Sequence, residues 1–106
     1  MERAVLVYTT WPTPAEAEAA GRKIVERRLA ACVNILPRMI SHCWWEGKIE
    51  RAEEAVMIVK TRASLAEPVR ALVKEMHSYT TPAIMVLPVE SADPAYHQWI
   101  LGETRA

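Results

Sequence analysis

The chain has 106 residues, 51% hydrophobic and 25% charged, and its thirteen basic side chains balance thirteen acidic ones. That length suits a single domain, 1–106, with a core of its own. Zero net charge leaves no electrostatic footprint for nucleic acid or an anionic membrane, and no apolar run approaches the ~20 residues of a membrane span.

Met1-Glu2-Arg3 and the short apolar stretch behind it lack the length of a secretory signal, so the expected compartment is the cytoplasm. Ala4 to Tyr8 is a continuous apolar run and predicts a strand covered on both faces, with Thr9 to Pro14 as a turn. Thr13, Pro14 and Glu16 then give a helix start: a hydroxyl cap, proline in the first turn and a carboxylate three residues on. This helix is expected to reach about Leu29, with Ala17, Ala20, Ile24 and Leu29 inward. Glu18, Arg22 and Glu26 form an outward row at i, i+4 spacing, and the basic group Arg22, Lys23, Arg27, Arg28 reads as the same solvated face.

Two long extended stretches follow, Cys32 to Glu46 with an interruption at Pro37, and Lys48 to Thr61, joined in a hairpin that turns at Glu46-Gly47. Cys32 and Cys43 share one extended segment, a separation on the order of 35 Å that no disulfide spans, so both are expected as free thiols. Ser64 and Glu67 predict a capping box ahead of a second helix carrying Leu65, Val69, Leu72, Val73 and Met76. Ala83 to Leu87 predicts a last buried strand; Asp93 and Pro94 start a short helix bearing Tyr96, Trp99 and Ile100. The order β-α-β-β-α-β with a terminal helix is that of a ferredoxin-like α/β (α+β) sandwich: four antiparallel strands with helices on one face.

Two features predict an oligomer. Each hairpin arm, straight, would run ~45–50 Å, whereas a domain of this size has a radius of gyration of ~13 Å. The tip, with Trp44 and Trp45, would then project as an exposed apolar patch. The strands that are apolar at every position also need cover on the face the helices leave open.

Three glycines form no phosphate loop or dinucleotide fingerprint, and no hydrolase elbow, zinc-protease motif or C-x-x-C is present, so the chain is not expected to be an enzyme. His42 and Cys43 are strand neighbours that point to opposite faces unless a bulge re-aims one. His97 reads as a surface side chain. His77 ends the second helix and leads through Ser78-Tyr79-Thr80-Thr81-Pro82 into the last strand; it is either a helix-end histidine or part of a loop site for a metal or anion. Lys60 shares a strand face with Glu54, Val56 and Ile58, and emerging from buried strand it requires a partner: a neighbouring carboxylate, or an anion in an intersubunit cleft.

Ala30-Ala31-Cys32-Val33-Asn34-Ile35-Leu36-Pro37, Ser41 through Ile49, Glu54, Met57 through Thr61, His77-Ser78-Tyr79-Thr80-Thr81-Pro82 and Tyr96-His97-Gln98-Trp99 together resemble the CutA divalent-cation tolerance proteins over essentially the whole chain. The resemblance implies a ferredoxin-like fold, a homotrimer with interlocked hairpins similar in plan to PII signalling proteins, a cytoplasmic setting, and tolerance of copper (Cu2+) and other divalent cations without catalysis. It implies a ligand-binding set of Trp45, Glu54, Lys60 and Tyr79 in clefts between subunits, and His77 as the metal ligand. Of the family's proposed copper ligands, a cysteine ending the first strand and a His-His pair ending the second helix, this sequence has Thr9 and Met76-His77, so one of three is kept. The alternative is a PII-like module that binds a small anion through Lys60, His77 and Tyr79; a third reading is a scaffold that grips another protein.

Overall fold

The first strand outruns its apolar stretch. In the computed structural model, which describes residues 1–106, β1 spans Ala4–Trp11. Residues 9–11, predicted as the start of a turn, stay extended because Thr9, Thr10 and Trp11 pair with Met57, Val56 and Ala55. The buried Thr9 hydroxyl is satisfied on both sides: it donates to the Met57 carbonyl at 2.9 Å and accepts the Trp11 indole N–H at 2.7 Å.

α1 spans Pro14–Glu26 and is capped as expected, the Thr13 hydroxyl accepting the Glu16 N–H at 3.1 Å. It ends before Leu29 because Arg28 adopts a left-handed φ of 59°. The Leu29 N–H then reaches back to the Ile24 carbonyl and the Arg28 N–H to that of Val25, a Schellman ending that seats Leu29 in the core. β2 (Cys32–Trp45) and β3 (Lys48–Arg62) form the hairpin, with Glu46 (φ 50°) and Gly47 (φ 79°) as its two-residue turn.

The Ser64–Glu67 capping box does not form. A single 3-10 turn, Ala63–Leu65, leads into α2 (Ala66–Met76), the Ser64 N–H goes to the Glu2 carboxylate, and Glu67 pairs with Arg70 at 3.2 Å. β4 is Ile84–Pro88 and α3 is Pro94–Glu103, capped by Asp93.

The sheet order is β2-β3-β1-β4 with every neighbouring pair antiparallel, the ferredoxin-like order. Val7, Trp11, Met57 and Val59 on one face meet Ala17, Ala20 and Ile24 of α1 and Val69, Leu72 and Val73 of α2. α1 sits so close that a Cβ on Gly21 would lie 2.9 Å from Met57 Sδ and 2.9 Å from Val33 Cγ2.

α3 lies on the opposite face at the Arg62 end. Cover on that face is therefore uneven. Ala4, Thr10 and Val56 are buried, but Met85 and Leu87 of β4 and Leu36 of β2 are exposed. The expectation of a β4 covered on both sides thus fails within one chain, because no element of the chain reaches that part of the sheet. The hairpin does project: the molecule measures 45 × 26 × 21 Å with a radius of gyration of 14.3 Å, and Ile40, Trp44, Trp45 and Ile49 stand exposed on its outer half.

Candidate functional site: a cleft between the hairpin and the loop after α2

Pairing in the hairpin shifts between Leu36–Val56 and Met39–Glu54, so two residues of β2, Pro37 and Arg38, face one of β3. The bulge brings Met39, Ser41, Cys43 and Trp45 onto the same face as Glu54, Ala52, Glu50 and Lys48. The Tyr8 hydroxyl, on that face of β1, lies 3.6 Å from Met39 Sδ. Beyond the bulge this face forms one wall of a cleft of about 570 Å³. Cys43, Trp45, Glu50 and Glu54 come from the hairpin, Thr10 from the end of β1, and Ser78 to Thr81 with Ala83 from the loop before β4.

The loop is held from below by His77. Its Nε2 lies 2.7 Å from the Thr10 carbonyl, which only accepts, so Nε2 carries the proton. Its Nδ1 accepts the Tyr79 N–H at 3.1 Å. The ring stacks on Trp11 (centroids 4.2 Å apart, 25° between planes) and touches Tyr79 at 4.9 Å. Glu16, near the start of α1, holds the next residue, accepting the Ser78 N–H at 2.7 Å and the Ser78 hydroxyl at 3.1 Å. Tyr79 is thereby presented to the cleft. Burial first, then the nearby charges of Glu54 and Glu16, push its phenol pKa up, so it stays a neutral hydroxyl.

The predicted site residues fall into three places. Trp45, Glu54 and Tyr79 share the cleft. His77 lies beneath it, buried, and is a helix-end residue with both nitrogens engaged. As a metal ligand it does not fit as it stands: an ion would have to displace either the Tyr79 N–H or the Thr10 carbonyl. No three His, Cys, Asp or Glu side chains converge on one point anywhere in the chain.

Lys60 is at the other end of the sheet, six residues along β3 from Glu54 and so roughly 20 Å away. The expected carboxylate partner is not there, for Lys60 enters no ion pair. Its Nζ donates to the Tyr96 hydroxyl at 3.0 Å and lies 5.4 Å from that ring's centroid, and the Tyr96 hydroxyl is the main reason its ammonium pKa is raised.

His42 and Cys43 face opposite sides, paired with Arg51 and Glu50, and Cys32 and Cys43 are both free. His97 is not a free surface side chain; its Nε2 lies 2.8 Å from the Glu2 carbonyl, fastening α3 to the N-terminal segment. A smaller hollow of about 310 Å³ between α1 and α3 is bordered by the Arg28–Glu103 pair (2.6 Å) and holds none of the predicted site residues.

Cys43, Glu50 and Thr10 belong to the cleft and are absent from the set predicted from sequence. Alternation along the hairpin from Glu54 points to Glu50, but Cys43 requires the bulge, and Thr10 requires knowing that β1 continues past Tyr8.

The fold and cleft define an elongated ferredoxin-like α+β protein whose hairpin doubles as a cleft wall. A family model described as CutA1 divalent ion tolerance protein matches residues 5–103. The divalent-cation tolerance protein CutA of Archaeoglobus fulgidus is 50% identical over 94 residues, covering 89% of this chain and 91% of that protein. Protein CutA 1, chloroplastic, of rice is 37% identical over 101 residues, covering 95% of this chain and 57% of that longer protein. The solved structure of the periplasmic divalent cation tolerance protein CutA from A. fulgidus superposes with a TM-score of 0.91 at 46% identity, covering 94% of this chain and 97% of that one. The chain belongs to the CutA1 divalent ion tolerance protein family.

Proposed function

We propose that this protein confers divalent-cation tolerance as a non-catalytic homotrimer, and that its contact with metal is weak and made in the cleft rather than at His77. The observation that carries this reading is that Glu50 and Glu54, neither of them in an ion pair, face the same cleft as the Cys43 thiol. Carboxylate oxygens and a thiol are donors for divalent ions such as Cu2+, and too few of them converge for tight chelation. The non-catalytic reading is supported by His77, whose only lone pair is spent on the Tyr79 N–H and so is not free to act as a base. The homotrimer is supported by the exposed apolar Ile40, Trp44 and Ile49 on the hairpin face away from the cleft and by Met85 and Leu87 of β4, with three as the number the family resemblance implies. An exposed free Cys43 supports the cytoplasm, a reducing compartment.

Calorimetric titration of Cu2+ into the wild type, Glu54→Gln and His77→Gln tests the metal reading. Binding lost in Glu54→Gln and kept in His77→Gln is expected; the reverse pattern overturns it. Sedimentation equilibrium should give three times the 12.0 kDa chain mass. The anionic-ligand alternative has less support, since Lys60 lies far from Tyr79 and the cleft's only charged residues are carboxylates.

A further inference from the structure

The cleft has a chemical character beyond its two carboxylates. Its charged lining residues are Glu50 and Glu54 alone, with no lysine, arginine or histidine among the rest. Its two large side chains are aromatic, Trp45 on the hairpin and Tyr79 on the opposite loop, 52% and 42% exposed, so both rings keep open area for a guest. Aromatic faces carry negative potential and attract cations, and carboxylates do the same. At about 570 Å³ the space lies within the ~300–1,000 Å³ of small-molecule sites and far exceeds what a bare ion fills. A metal ion needs several donors at one point, and no three converge.

We propose that the cleft is a site for a small organic cation, an ammonium group carried on an apolar or aromatic body. The ammonium sits between Glu54 and Glu50, and the body lies between the Trp45 and Tyr79 rings. The inference rests on the reading of this cleft as the protein's cation site and names the class of ligand for which it is built; inorganic ions are then its weak competitors. Thr10, Ser78, Thr80 and Thr81 line the remainder and supply hydroxyls to polar substituents of the guest. His77 acts as a positioning residue, fixing the loop that carries Tyr79 without reaching the guest.

The test is a calorimetric titration of the assembled full-length protein with three probes of one shape: benzylammonium, benzyl alcohol and benzoate. Zn2+ alone serves as a fourth. Saturable benzylammonium binding, weakened about tenfold or more by Glu54→Gln and by Trp45→Leu, is expected, with no saturable binding of the alcohol or benzoate. Glu50→Gln serves as a second carboxylate variant should Glu54→Gln unfold, as judged by its thermal midpoint.

Zn2+ binding that is lost in Glu54→Gln, with none for benzylammonium, overturns the organic class while the cation site stands. Benzoate binding equal to that of benzylammonium, or no binding of any probe, overturns both. Benzylammonium binding untouched by all three substitutions places it elsewhere and also overturns the proposal.

Discussion

The imidazole of His77 lies face to face with the indole of Trp11, 4.2 Å between centroids, and each ring is pinned by its own hydrogen bonds: Trp11 to Thr9, His77 to Thr10 and Tyr79. The pair joins the end of β1 to the end of α2 and sets the height of the loop above it. Replacing His77 with alanine leaves the Thr10 carbonyl and the Tyr79 N–H without partners and opens a void beside Trp11. The expected loss is about 2–4 kcal/mol. His77→Gln offers an amide N–H and a carbonyl in similar positions and should recover much of it. Denaturant titration of both variants checks this, and near-equal losses would argue against the hydrogen bonds as the cause.

Gly21 and Gly102 are helical glycines with opposite surroundings. A Cβ at Gly21 meets Met57 and Val33 at 2.9 Å, whereas one at Gly102 meets nothing within 4 Å. Gly21→Ala should therefore destabilise by about 1–3 kcal/mol, by pushing α1 off the sheet. Gly102→Ala should stabilise by about 0.5–1 kcal/mol through helix propensity alone. Thermal midpoints moving in opposite directions are the expected readout.

The hairpin turn requires positive φ at both Glu46 and Gly47. Gly47→Ala should cost about 1 kcal/mol. Glu46→Asn, which tolerates the left-handed region better, should stabilise by a few tenths to about 1 kcal/mol. Unfolding midpoints of the two variants test the turn type directly.

Glu2 and Glu53 give acid dependence. Hydrogen bonds from Ser64, with help from Arg62, hold Glu2 below its ordinary value of 4.5, and bonds from Arg38 and Arg51 hold Glu53 below it too. A carboxyl depressed in the folded state adds stability above its ordinary value and loses it as pH falls through the depressed one. Stability should hold at pH 6 and above and decline below about pH 4.5, more shallowly in a Glu2→Gln/Glu53→Gln double variant. Urea midpoints between pH 3 and 7 measure it; identical slopes in the variant would count against these two groups.

Local rules carry most of the fold. Thr13-Pro14-Glu16, Asp93-Pro94 and Glu46-Gly47 work through neighbouring backbone, so their elements appear where the sequence places them. The Ser64 cap and the Thr9–Pro14 turn failed because distant partners intervened: Glu2 takes the Ser64 N–H, and β3 extends β1. The site was half legible for the same reason. Trp45, Glu54 and Tyr79 line one cleft within the chain, where the resemblance implies clefts between subunits, and what holds His77 and Lys60 is not visible in the local sequence. Their partners, Thr10 and Trp11 for one and Tyr96 for the other, stand dozens of positions away.

The bulge at Pro37-Arg38 acts as an odd–even switch. Two tryptophans stand side by side at the tip, and in any strand only one of an adjacent pair can look to a given side. Counting outward from Leu36 along an unbroken strand assigns the cleft side to Trp44; the one extra residue reassigns it to Trp45 and turns Trp44, 74% exposed, away. Straightening the strand with Arg38 kept would exchange their places, bringing His42 to the cleft and sending Cys43 out with Trp45, whereas deleting Arg38 removes the extra residue and should leave Cys43 and Trp45 facing the cleft. The identity of the cleft's aromatic wall and of its donor atom is thus encoded by the bulge, at a position some distance from the cleft itself.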